Sequence, residues 1–190
     1  QAALAKIGEM AAVVAHEVRN PMAGVRAGLQ LLEGRSSLQP SESLLIHEMV
    51  KRLDLLNARV TDLLQFAHPR PAQIETVRLR PLLDEIAQAV LPGGVTYRVV
   101  GHDAVVFADK AMLHEVFTNL FANAGQAVAE HGAVVVTLSS MGETLEALMS
   151  DNGSGIPPAL LERVFEPFFT TRSGGTGLGL AIVRQLVEMQ

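Results

Sequence analysis

His16, Glu17 and Asn20 fall in the stretch AHEVRNP, residues 15–21. A histidine beside a glutamate begins like a zinc-binding helix, but that helix needs a second histidine four residues on, and Asn20 stands there. Residues four apart share a helix face, so Asn20 lies beside His16. An amide so placed can hold a water or a substrate oxygen next to the imidazole. Glu17, about 100° round the helix, reaches the ring only through a favourable rotamer. Pro21 removes one backbone hydrogen bond and strips the Glu17 carbonyl of its donor, so a local bend is expected.

Two further constellations carry chemistry. In NLFANA, residues 119–124, Asn119 and Asn123 again share one helix face. Their amide oxygens are neutral hard ligands suited to Mg²⁺ in a site that also holds phosphates. The second constellation is a pair of glycine-rich loops, DNGSGIP (151–157) and GGTGLGL (174–180), the latter opening the last helix. Glycine lets backbone amides approach a phosphate, and a helix N-terminus adds a favourable dipole. Either loop alone is a common turn. With the asparagine helix they point to a phosphate-bearing ligand.

The elements that position these groups follow from pattern and composition. The chain has 190 residues, 48% of them hydrophobic, enough for one large domain or two small ones. It has no cysteine, so neither disulfides nor thiolate metal sites are available, and a cytoplasmic location is expected. No apolar run approaches the ~20 residues that span a bilayer. The chain opens on Gln1 rather than methionine, so an upstream segment is expected, with membrane attachment there left open. The net charge of −5 is concentrated after residue 67, where eight basic residues face thirteen acidic ones. A nucleic-acid groove is excluded on that balance.

Before residue 68 apolar or small residues recur in threes and fours: Ala11, Val14, Val18, Val25 and Leu32, then Ile46, Met49, Leu53, Leu56, Val60 and Leu63. That is a heptad seam on two helices, with GRSSLQPS (34–41) as the turn between them. With Ala11 and Val14 at a and d, His16 falls at f and faces solvent. A lone hairpin leaves an apolar face over, and a second copy covers it, so a homodimeric four-helix bundle is expected. HPRP (68–71) breaks any helix and reads as a linker. Beyond it, strands (74–79, 95–100, 104–107, 133–138, 144–149) alternate with helices (81–90, 110–130, 158–165, 177–189), a second domain of α/β class.

These motifs together resemble the histidine protein kinases of two-component signalling. AHEVRNP looks like the family's phosphoacceptor box and NLFANA its asparagine box. DNGSGIP and GGTGLGL look like its two glycine boxes, and FEPFF (165–169) its phenylalanine box. The His-Glu-x-x-Asn-Pro form is most similar to the subgroup of nitrogen-regulation and acetoacetate-type sensor kinases. The resemblance implies an α+β multidomain chain. Residues 1–67 would be the dimerisation and histidine-phosphotransfer hairpin, 68–72 a linker, and 73–190 an ATP-binding α/β sandwich of the histidine kinase, gyrase, Hsp90 and MutL type. In the family further strands follow the last helix, so an unpaired sheet edge is expected here.

It also implies roles. His16 would accept the γ-phosphoryl of ATP, Glu17 would hold its other ring nitrogen and take the proton, and Asn20 would orient water in a phosphatase reaction. Asn123 would coordinate Mg²⁺, Asn119 would support the nucleotide, and Asp151 would accept a hydrogen bond from the adenine amino group. Gly153 and Gly155 would turn the chain against the base, while Gly175, Gly177, Leu178 and Gly179 would line the phosphates. Arg172 would reach the γ-phosphate from a lid, residues 156–176, hinged at 173–175 and pinned by Phe165, Phe168 and Phe169. The phosphoryl group would pass to an aspartate of a response-regulator receiver domain, under control of a sensor region outside this chain. Two other classes are weighed. A conformational ATPase would want a glutamate near Asn119, and an amide cannot take a proton from water; a silent nucleotide-binding scaffold would not need the intact phosphoacceptor box.

Overall fold

The computed structural model describes residues 18, 21–33, 39–67, 70–128, 130–142, 144–172 and 175–190. His16, Glu17 and Asn20 lie outside the described residues. The chain divides into two compact units, Gln1–Arg70 and Pro71–Gln190.

In the first unit a helix over residues 21–33 (α1) is followed by α2, Pro40–Ala67. Proline is well suited to the first turn of a helix, where its missing N–H costs nothing. The Glu42 carboxylate reaches back to accept the Gln39 N–H at 2.9 Å, half of a capping box. The second helix therefore begins within the stretch expected to be turn. Arg26 pairs with Asp54 at 2.9 Å, and Glu33 lies 3.7 Å from His47, so α1 and α2 run antiparallel. These pairs are exposed and contribute at most about 1 kcal/mol each. Along the seam Ile46 is buried, whereas Val25 and Met49 remain 54% and 45% exposed in a single chain. One hairpin does not cover its own apolar face.

In the second unit β1 (Glu75–Arg78) runs directly into α3 (Leu79–Val90). Then come β2 (Thr96–Gly101), β3 (Val105–Ala108), α4 (Lys110–Ala127), β4 (Ala133–Met141), β5 (Thr144–Asp151) and α5 (Gly179–Glu188). β1 and β3 form an antiparallel pair, and β2, β4 and β5 a mixed sheet in which β2 is parallel and β5 antiparallel to β4. Among the described residues β5 pairs with β4 alone. The core lies between helices and sheet: Leu83 and Ile86 of α3, Phe121 of α4, and Val134 and Val136 of β4 are almost wholly buried. This is the α/β sandwich that the family resemblance implies.

Asp109 organises one end of this layer. Its Oδ1 accepts the Met112 N–H at 3.0 Å, capping α4. Its Oδ2 accepts the Gln73 N–H at 2.6 Å, and its own N–H donates to Gln190 Oε1 at 2.8 Å. The carboxylate is only 2% exposed. In α3 Arg80 donates to the carbonyls of Val99 and Gly101. Arg78 bonds Asp103, and that bond holds the Asp103 carboxyl below the usual carboxylate range.

Two element expectations need correction. Residues 158–165 form only a short 3₁₀ turn, Pro158–Leu160, followed by further turns closed by bonds such as Glu166 N–H to Arg163 O. Only Leu160 and Val164 turn inward, on the cavity wall, whereas Leu161 and Phe165 stay exposed, so little repays a full helix. The helix expected over 110–130 ends at Ala127, whose carbonyl accepts the Ser154 N–H and so is claimed by the loop after β5.

Candidate functional site

A cavity of about 500 Å³ opens in the second unit between α4, the end of β5, the segment after it and the start of α5. Asn119 and Asn123 enter its wall from α4, one turn apart. The Asn119 Nδ2 donates to the Glu115 carbonyl at 3.0 Å, which fixes the amide. Its Oδ1 then lies against Gly179, where an added Cβ would come within 2.9 Å of it. Glycine is what allows the α5 N-terminus to approach Asn119 this closely. Asn123 offers its Oδ1, which accepts a hydrogen bond from the Arg172 guanidinium at 3.3 Å.

Asp151 closes β5, opposite Val134 in the register. Its Oδ1 accepts the Gly153 N–H at 2.9 Å, forming an Asx turn that does not use Oδ2. Asn152 ties the same loop to β4, its Oδ1 accepting the Ala133 N–H at 2.7 Å. Gly153 presses on the end of α4, where a Cβ would meet the Ala127 carbonyl oxygen at 2.5 Å. Gly155 adopts the left-handed region and lines the cavity. Gly153 does not, so its role here is close packing.

At the other end Gly175, Gly177 and Gly179 all line the cavity. Gly177 has φ +67° and its carbonyl accepts the Phe168 N–H at 2.9 Å; a Cβ there would come within 2.4 Å of the Phe168 backbone. Gly177 is thus outside helical geometry, and α5 starts at Gly179. Leu178 is only 2% exposed and packs in the interior rather than on the cavity wall, while its N–H donates to Thr176 Oγ1. The phenylalanines divide. Phe169 lines the cavity under the Arg163 guanidinium, 4.3 Å from the ring centre, whereas Phe165 and Phe168 remain exposed. Residues 173 and 174 of the expected hinge lie outside the described residues.

Known proteins sort this arrangement. Residues 6–71 match the His Kinase A (phospho-acceptor) domain, and residues 108–190 match the Histidine kinase-, DNA gyrase B-, and HSP90-like ATPase family. Signal transduction histidine-protein kinase AtoS of Escherichia coli (strain K12) is 35% identical over 97% of this chain and 31% of its own length. The structure of full-length ShkA in complex with AMPPNP superimposes with a TM-score of 0.83 at 28% identity, covering 95% of this chain and 41% of that one. The mycobacterial sensor histidine kinase MprB gives 0.57 at 31% identity, over 61% of this chain and 79% of that one. The chain belongs to the sensor histidine kinases. It spans well under two thirds of the length of a curated relative such as AtoS.

In this histidine kinase core the cavity brings together Asn119, Asn123, Asp151, Gly155 and Arg172 with the three glycines before and at the start of α5. Among the described residues no group of three His, Cys, Asp or Glu side chains converges as a metal site. The Asn123 amide oxygen nevertheless suits Mg²⁺, an ion that takes most of its ligands from phosphates and water. No helix among the described residues is long and apolar enough to cross a membrane.

Gln126, a weaker candidate on sequence grounds and left out of the expected site, belongs to the same wall. It stands one turn beyond Asn123, and its Oε1 also accepts from Arg172. The signal for it was present in the helix period, since residues 119, 123 and 126 follow one face.

Proposed function

We propose that this chain is the catalytic core of a sensor histidine kinase, which transfers the γ-phosphoryl group of ATP to His16 and from there to an aspartate of a response-regulator receiver domain. The observation that carries the reading is the single cavity shared by Asn119, Asn123, Asp151 and the glycines at the start of α5. Such a wall suits a purine triphosphate: a carboxylate for an amino group at one end, and backbone N–H groups with a helix N-terminus for phosphates at the other.

Asp151 receives the adenine amino group through the oxygen its Asx turn leaves unused. Gly177 and Gly179 bring the α5 N-terminus against the phosphates, and Asn119 supports that approach. Mg²⁺, held by Asn123 when bound, neutralises phosphate oxygens and so lowers the barrier to displacement. Arg172 adds a positive charge at the same end.

His16 is the nucleophile. An ordinary imidazole, with a pKa of about 6.5, is mostly neutral at pH 7 and needs orientation more than activation. One ring nitrogen forms the bond to phosphorus while the bond to the β-phosphate oxygen breaks, and ADP leaves with that electron pair. The proton on the other ring nitrogen goes to Glu17. The phosphoryl group then moves to a receiver-domain aspartate, and Asn20 orients water when the same aspartyl phosphate is hydrolysed.

Residues 1–67 serve as the dimerisation and phosphotransfer hairpin, 68–72 as a linker and 73–190 as the ATP-binding domain. The homodimer is supported by the apolar seam one hairpin leaves exposed, at Val25, Leu32, Met49 and Leu56. A sensor region outside the chain sets the activity.

The test is label transfer from γ-labelled ATP in the presence of Mg²⁺. Wild type should take up label, His16→Ala none, and Asp151→Asn little while remaining folded. Equal labelling of His16→Ala and wild type refutes the assignment.

A further inference from the structure

The oxygen proposed for the metal is already bonded to a cation of the chain itself. Arg172 donates through one guanidinium nitrogen to Asn123 Oδ1 at 3.3 Å and to Gln126 Oε1, and through the other to the Asn123 backbone carbonyl at 3.4 Å. Three neutral oxygens from one end of α4 thus grip one guanidinium. A metal ion on Asn123 Oδ1 would sit about 2.0–2.1 Å from that oxygen and cannot share the space or tolerate the charge of a guanidinium already bonded there.

We propose that Arg172 and the metal ion exchange at Asn123, with Gln126 as the anchor that holds Arg172 in the metal-excluding position. This rests on the nucleotide reading of the cavity. Arg172 lies in the segment after β5 that also contributes Phe169 and Thr170 to the cavity wall. Its grip on α4 therefore fastens that segment over the nucleotide space. Arrival of the metal with its nucleotide displaces Arg172 from Asn123 and frees its charge for the phosphates. Gln126 is then a positioning residue: it acts through Arg172 and sets how much metal–nucleotide must compete.

The exchange has a thermodynamic signature. When only a fraction of molecules has Asn123 free, the apparent dissociation constant is raised by the inverse of that fraction. Weakening the anchor should therefore tighten binding, the reverse of what loss of a ligand contact does. Gln126 is exposed, so Gln126→Met removes the acceptor without touching the core.

The experiment measures AMPPNP binding by calorimetry, with Mg²⁺ and with EDTA, alongside hydrogen exchange of residues 163–172 in protein without nucleotide. Gln126→Met should bind Mg–AMPPNP about 3- to 10-fold more tightly, with affinity in EDTA changed less than about 2-fold. Exchange over 163–172 should rise in Gln126→Met and in Arg172→Met, and the double variant should rise no further. Weaker binding of Gln126→Met in both conditions, or unchanged exchange, overturns the inference while leaving the nucleotide reading intact. Failure of the wild-type chain to bind Mg–AMPPNP overturns both.

Discussion

The amide oxygen of Asn119 and the α-carbon of Gly179 meet so closely that a methyl group on residue 179 would lie 2.9 Å from the oxygen. Asn119 cannot turn aside without giving up its bond to the Glu115 carbonyl. Gly179→Ala should therefore push α5 from α4 at the point where phosphates are proposed to bind. The expected result is a loss of about 1–3 kcal/mol in nucleotide affinity, a roughly 5- to 150-fold weaker dissociation constant by calorimetry. Unaltered affinity would mean the contact is not part of the site.

Gly153 carries a different burden. It lines no part of the cavity, yet a Cβ there would stand 2.5 Å from the Ala127 carbonyl oxygen. Gly153→Ala should cost roughly 2–3 kcal/mol of stability of the second unit, because a backbone atom must give way. Urea denaturation followed by circular dichroism measures it.

Asp109 should prove important to the same unit. Asp109→Ala removes the cap on α4 and leaves the Gln73 N–H without its acceptor, for a loss of about 2–3 kcal/mol. Asp109→Asn keeps an acceptor for one of the two donors and should cost less. The comparison is again made by urea denaturation.

Tyr97 supplies a pH dependence. Its ring packs edge-on against Phe121, and its buried hydroxyl has no partner at hydrogen-bond geometry among the described residues. Burial first, and then the nearby charge of Asp84, push the phenol well above its ordinary value of 10.0. The folded state thus favours the neutral phenol. That contribution is complete below pH 10.0 and is lost as pH climbs from there toward the raised value. Tyr97→Phe should be near neutral in stability at pH 7 and should flatten the decline above pH 10.0, as read from denaturation midpoints across that range.

How far the site was legible in the sequence depends on the range of the interactions involved. Asn119 and Asn123 could be paired from helix period alone, and the glycine loops from their composition, because those signals are local. Asp109 could not be recognised, since the Gln73 N–H and Gln190 it holds are distant in sequence and meet only in the fold. The segment 158–165 reads as a helix from its apolar spacing, while nothing in one dimension reveals that Leu161 and Phe165 stay exposed. Leu178 stands among the glycines of the second glycine-rich loop in sequence, although its side chain belongs to the interior. The Arg172 grip joins residues 46 and 49 positions apart, beyond any pattern of period or motif.

The most direct test of the transfer reaction asks where the phosphoryl group sits. Cleavage after Lys6 and Arg19 releases residues 7–19, a peptide with His16 as its one histidine and no serine, threonine, tyrosine or aspartate. After incubation with Mg–ATP, tandem mass spectrometry at neutral pH should find one added phosphoryl group on this peptide, lost on brief acid treatment and retained in base. Phosphoryl found elsewhere on the chain, or absent from this peptide in protein that binds ATP, would contradict the role assigned to His16.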